Sequence, residues 1–405
     1  MTQNQPPKHA TTRNAPIAAL PWRGLHLPVH IRVFAAFYLY SFALGGFFPR
    51  LAEIQRSMGV AEGALGFALI GAAVGTMVSL TFGSRVIERV GYRRILITLL
   101  PTVATFYAIA AWATGPVMLF CTLLPVGLAV GAIEQVVNIE ADRVEHQIGR
   151  RIMNRAHAFW SFGFFSASLV GAGMSWVGIS PQLHLALMVP VVLAGTVLTL
   201  GGFTPAAQRS GTTQDEAPLF AHPTLAIGLL VAVSLSAMLM EGAGIDWSGI
   251  YMRDVFGGSP FMSGMAVATG ALAQAGMRFF ADRFVERHQP VRVARALISM
   301  MGAGVVLVYA APSMWLAFVG LALMGAGTSA LFPLAMSAAA QRTDRPTAVN
   351  VAALAQTSFV AFLLGPPLLG WVAEHWGIRN AFGLGLPLVL LSLLTAGALG
   401  NKPNN

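Results

Sequence analysis

An otherwise apolar run from Leu124 to Asn138 is interrupted by a carboxylate and two amides, Glu134, Gln135 and Asn138. Placing a charge in hydrocarbon costs at least ~2.5 to 3.5 kcal/mol. A structural partner, a proton or a polar substrate must offset that cost. Asn138 stands one helical turn beyond Glu134 and shares its face, where it could bind substrate hydroxyls or bond between helices. His157 opens the next apolar run, and a helical hairpin would bring it to a depth similar to that of Glu134. A carboxylate and an imidazole so placed could bind and release a proton. Equally, Glu134 could pair with Arg155 and pin two helices. Trp160, three residues on, could stack on a sugar ring or anchor at the interface.

A second group lies in Glu241-Gly-Ala-Gly-Ile-Asp-Trp-Ser248. Two glycines let a helix bend or bare its backbone to a cavity, so Glu241, Asp246 and Trp247 could form an outer gate touching substrate. The alternative is a pair between Glu241 and Arg253 or Arg50. Tyr38 and Gln356, with Asn350 and Gln274, are further polar groups available to a cavity.

The elements that must carry these residues follow from composition. Of 405 residues, 56% are hydrophobic and 10% charged, against roughly 25% charged in soluble proteins. Twelve apolar runs are long enough to cross a hydrocarbon core, at about 29–49, 64–83, 94–113, 116–138, 153–176, 182–203, 223–247, 259–281, 292–311, 314–338, 348–373 and 378–400. The longest polar gap, 204–222, divides an N-terminal bundle (29–203) from a C-terminal bundle (223–400). Residues 1–28 read as a disordered cytoplasmic tail and 401–405 as a second tail. With both tails inside, the inner segments carry 21 Lys and Arg residues and the outer loops 4, which the positive-inside rule favours.

The two halves echo each other. Gly83-Ser-Arg-Val-Ile-Glu-Arg-Val-Gly-Tyr-Arg-Arg94 after span 2 is matched by Gly276-Met-Arg-Phe-Phe-Ala-Asp-Arg-Phe-Val-Glu-Arg287 after span 8. Aligning Arg143 with Arg342 sets Glu134 opposite Pro333, so the carboxylate has no symmetric twin. Glu88, Arg89, Arg278, Asp282 and Arg283, with Gly83, Gly91 and Arg93, are read as gating or structural residues. Arg85 and Arg278 would be satisfied by snorkelling at the inner ends of their helices.

Several functions are excluded. Lysine occurs only at Lys8 and Lys402, so no P-loop is present. The lone Cys121 allows neither an internal disulfide nor a Cys-pair metal site, and is expected to pack as a small hydrophobe. No HExxH or GxSxG motif is found, so an enzyme is not expected, nor a cofactor or metal. The net charge of +9 is scattered through short loops rather than gathered into a nucleic-acid patch.

The loop from Gly83 to Arg94 resembles the signature of the major facilitator superfamily, with Glu88 where Asp is usual and Ser84 where the glycine is usual. Pro49-Arg-Leu-Ala-Glu-Ile-Gln55, Glu134 with Asn138, His157-Ala-Phe-Trp-Ser-Phe-Gly163 and Glu241 to Ser248 resemble its fucose-permease-like branch, within it bacterial inner-membrane proteins of the YbjJ and MosC type. The resemblance implies an all-α membrane protein of twelve transmembrane helices in two pseudo-symmetric six-helix bundles. It also implies alternating access, sugar- or cyclitol-like solutes and, commonly, coupling to protons. Fucose permease has functional acids on spans 1 and 4. Here span 1 has Tyr38, Tyr40 and Ser41 but no carboxylate. Drug-proton antiporters of the superfamily usually carry an arginine in span 4 and Gly-Pro in span 5. Neither is present, and Gly365-Pro366-Pro367 lies in span 11.

The expectation is a monomeric, multi-pass inner-membrane carrier of a small polar solute, with protons and the bilayer as its other partners. Efflux of amphipathic compounds is the alternative, favoured by the Phe and Met content. A non-transporting sensor or scaffold is a third reading.

Overall fold

A computed structural model describes residues 25, 27–207 and 221–400; most of both tails and residues 208–220 of the linker lie outside it. Ten helical segments are long and apolar enough to cross a membrane: α1 (Val29–Met58), α2 (Glu62–Phe82), α3 (Tyr92–Ala110), α4 (Pro116–Ile148), α6 (Pro181–Leu200), α7 (Leu225–Phe256), α9 (Pro290–Ala310), α10 (Met314–Ala340), α11 (Thr347–Trp376) and α12 (Ile378–Gly400). Two less apolar helices, α5 (Met153–Trp176) and α8 (Pro260–Arg287), complete the twelve. Both are rich in Gly, Ala and Ser, the residues that let helix backbones approach closely.

Local chemistry sets the helix starts. Proline occupies the first turn of α4, α6, α8 and α9, where its missing N–H is not needed. Ser180, Thr224, Ser259 and Ser313 cap α6, α7, α8 and α10 by accepting a hydrogen bond from the backbone N–H three residues on.

Within each half, glycines allow helices to lock together. A Cβ at Gly127 of α4 would lie 2.0 Å from the Ala72 carbonyl oxygen of α2, and one at Gly75 of α2 would lie 2.2 Å from that of Leu124. The C-terminal half repeats the arrangement, with Gly304 of α9 against Gly320 and Met324 of α10.

Two helix pairs, α2–α11 and α5–α8, join the halves. The described chain ends lie together at one face of the bundle, where Leu25 bonds Leu198 and Gly400 abuts Val291. At the opposite, far face the halves are closed. Glu374 accepts the Gly63 N–H at 3.0 Å, and Arg253 donates to Ala52 O at 2.8 Å and Gln55 Oε1 at 2.9 Å. A Cβ at Gly66 would meet the Pro366 carbonyl oxygen at 2.4 Å, and one at Gly264 the Ala172 Cα at 2.9 Å. Toward the termini face, Phe159, Phe162, Phe279, Phe280 and Phe284 are exposed. The halves are therefore shut on the far side.

Two expectations are corrected. Residues 276–287 form the continuous last turns of α8 rather than a loop, because no glycine-proline break stands between Pro260 and Pro290. Cys121 is exposed on the outer surface of α4 rather than packed inside.

Candidate functional site

The polar residues converge where α1, α4 and α5 of the first half face α7, α8 and α10 of the second. Arg278 is at the centre. Its Nη2 donates to Glu241 Oε1 at 3.2 Å, its Nε to Ser329 O at 3.0 Å and its Nη1 to Ser161 Oγ at 3.3 Å. It stands eighteen residues into a 28-residue helix, mostly buried, and the carboxylate of α7 compensates its charge. Glu241 in turn does not reach Arg253 or Arg50. It sits midway along Leu225–Phe256 rather than at an outer end, while Arg50 is held by Glu53 at 2.6 Å and by Ile179 O and Arg253 by the far-side contacts.

Facing this pair, Asn138 Nδ2 donates to both the backbone oxygen and Oε1 of Glu134, each at 2.8 Å. Tyr40 interacts with the same carboxylate. His157 meets Phe37 edge-on, ring centroids 5.0 Å apart. Since Phe37 and Tyr40 are three residues apart on α1, His157 and Glu134 differ in depth by about one helical turn. No hydrogen bond joins them among the described residues. Both lie instead within electrostatic reach of Arg278.

An aromatic wall completes the first half's surface. Trp160 stacks on Phe164 at 5.7 Å and meets Tyr40 edge-on, and Phe48 lies against Phe164. Between that wall and Glu241, Gly244, Gln274, Gly325 and Thr328 lies a cavity of about 30 Å³. That volume suits water rather than a solute, so in this conformation the halves have drawn together around the polar cluster. Gln274 donates to Thr328 Oγ1 across it at 3.3 Å.

The α7 backbone adopts a π-turn over Ala243–Trp247, a feature frequent at functional sites. It carries Asp246 toward Tyr107 of the other half and buries Trp247, 1% exposed, with its ring edge close to Gly370 of α11. Trp247 is thus buried at the α7–α11 contact, and Asp246 lies within electrostatic reach of Tyr107 of the first half.

The remaining predicted residues lie elsewhere. The Tyr38 hydroxyl pairs with Ser166 Oγ at 2.9 Å, and Gln356 accepts the Ala221 N–H at 3.0 Å near the termini face. Gly83 ends α2, the short helix Ser84–Val90 follows, and Gly91 turns the chain with φ +87. Arg93 donates to the Gly201 carbonyl. Glu88, Arg89 and Arg283 are exposed; the Asp282 side chain lies outside the described atoms. Sequence reasoning passed over Ser161 and the central place of Arg278. The uninterrupted stretch from Pro260 to Pro290 was the signal that could have found the latter.

The chain is a helical bundle with membrane-capable helices and a polar cluster between its halves. The Major Facilitator Superfamily model matches residues 229–404. An uncharacterized MFS-type transporter of Yersinia pestis is 28% identical over 370 residues, covering 90% of this chain and 92% of that one. Membrane protein MosC of Rhizobium meliloti is 24% identical, covering 94% and 93%. Among solved structures, a mutant of the nucleoside transporter NupG superposes with a TM-score of 0.71 at 13% identity over 92% of this chain and 99% of that one. A D-xylose-proton symporter gives 0.69 at 12% over 92% and 96%. The C-terminal part of the chain is thus similar to the major facilitator superfamily, and the whole chain shares the fold of solved transporters.

Proposed function

We propose that the protein is a proton-coupled, alternating-access carrier of a small polyhydroxylated solute, of the fucose-permease-like branch. The observation that carries this reading is the Arg278–Glu241 pair at the junction of the halves, beside the Glu134–Asn138 pair and an aromatic wall. Hydrogen-bonding groups opposite stacked rings suit a solute with hydroxyls on its edge and an apolar face. Kinship of fold with nucleoside and xylose carriers supports the same solute class.

In this reading residues 29–203 and 223–400 move as two bodies joined by 204–222. Solute enters between Trp160 and Gln274, and Glu134 takes up or releases the coupling proton while Asn138 and Tyr40 hold its carboxyl group. His157 and Asp246 are the further proton-binding candidates. The termini face is cytoplasmic and the membrane is the bacterial inner membrane, as the excess of arginine on that face supports; moving Arg278 into the bundle leaves that excess nearly intact.

The test is a panel of polyols, sugars and lipophilic cations scored by thermal stabilisation of the purified protein, followed by counterflow in proteoliposomes with and without a pH gradient. Stabilisation and counterflow by polyols or sugars are expected. Stabilisation by lipophilic cations alone would replace this reading with efflux of amphipathic compounds.

A further inference from the structure

Away from the central cluster, α8 and α9 diverge from their connecting loop and leave a groove of about 360 Å³ lined by Met277, Ala281, Phe284, Val293, Leu297 and Met300. Its floor and walls are apolar along their length. At its mouth, on the termini face, stand His288 and Arg292, with Arg287 and Arg295 exposed beside them. None of these arginine side chains makes a hydrogen bond or ion pair among the described residues.

The dimensions match a lipid. From Arg292 to Met300 the groove runs eight residues along α9, about 12 Å at 1.5 Å per residue, close to half of a ~30 Å hydrocarbon core. An apolar groove at that depth borders the acyl chains of the bilayer, and the cations at its mouth lie at the level of lipid phosphates. Basic pockets between transmembrane helices bind anionic head groups.

We propose that the α8–α9 groove is a binding site for one anionic phospholipid, with an acyl chain along Met277, Phe284 and Leu297 and the phosphate between His288 and Arg292. Occupancy would brace the α8–α9 corner. Arg278, on α8 one residue beyond Met277, would feel that brace through its own helix.

The test measures thermal unfolding of the purified full-length protein in mixed micelles titrated with dioleoyl-phosphatidylglycerol, with dioleoyl-phosphatidylcholine, or with inorganic phosphate. Phosphatidylglycerol is expected to raise the melting temperature well above the effect of phosphatidylcholine, and phosphate to do nothing. Arg292→Gln should weaken the apparent affinity for phosphatidylglycerol about fivefold. Ala296→Trp, which fills the groove and leaves every charge in place, should abolish the increment while melting as the native protein does in phosphatidylcholine. Should that variant not fold, Arg292→Gln alone decides. Equal stabilisation by both lipids, stabilisation by phosphate alone, or an increment undiminished in Arg292→Gln would overturn the site. The readout involves no transport, so it stands or falls independently of the solute.

Discussion

Arg278 ties three elements together: it pairs with Glu241 of α7 at 3.2 Å and donates to Ser161 of α5, in the other half, at 3.3 Å. The two charges hold each other in an otherwise apolar bundle, so removing one strands the other. Arg278→Ala should destabilise the protein by up to ~3 kcal/mol, the low end for breaking a buried pair, since about a fifth of each side chain stays exposed. Arg278→Met with Glu241→Leu should recover most of that loss without restoring transport. A double-mutant cycle of thermal unfolding checks this; additive losses would show that the pair is not coupled.

Glu134→Gln keeps an oxygen to accept from Asn138 but cannot titrate. Proton-driven accumulation should vanish, exchange counterflow should persist and the melting temperature should change little. Accumulation that still follows the pH gradient would remove Glu134 from the coupling.

Gly66 and Pro366 form one seam of the far side, with no room for a side chain between them. Gly66→Val should hold that seam apart and shift the protein toward a conformation open on the far side. Spin labels on Ser57 and Asp254, in a background lacking Cys121, would report longer distances; an unchanged distribution would show that the seam yields elsewhere.

Gly127 packs within a single half, its Cα set against the Ala72 carbonyl. Overpacking there should cost about 1 to 3 kcal/mol or more. Gly127→Val is therefore expected to lower the melting temperature without altering the distance across the far seam.

In the loop between α10 and α11, the hydrogen bonds from Arg342, at 3.1 Å to each oxygen, hold the Asp344 carboxyl below its ordinary value. A depressed carboxylate stabilises the fold above its unfolded value near ~3.9 and ceases to do so as pH falls through its folded value. The stability difference between native protein and Asp344→Asn should stay small, under ~1 kcal/mol, and constant from pH 7 to 5, then shrink toward zero in stronger acid. Melting curves across that range test the sign.

The helix order was legible because proline and capping hydroxyls mark starts such as Pro181 and Ser180, and because apolar length is a covalent property. The shared face of Glu134 and Asn138 was legible too, since one helical turn separates them, although the hydrogen bond between them was not read. Glu241 was not, because its partner lies 37 residues away on another helix and only packing chooses among the available arginines. Arg278 was misplaced by the basic cluster that follows it, which resembles a loop in composition while the backbone stays helical. The burial of Trp247 was not legible for a different reason: a π-turn shifts side-chain facing by one residue, and composition does not announce it.

Beside the close packing at Gly66 and Gly264, the far-side closure has a few charge-assisted hydrogen bonds, from Arg253 to Ala52 and Gln55 and from the Gly63 N–H to Glu374. Such bonds contribute about 1.5 to 3 kcal/mol each. Their sum is comparable to the ~5.5 kcal/mol needed to invert a two-state population from 1:99 to 99:1. A heavier latch would leave the carrier resting in a single orientation. On the proposed alternating-access reading, one this light would let a bound solute, which can contribute only its differential affinity for the two conformations, decide which side of the membrane the protein addresses.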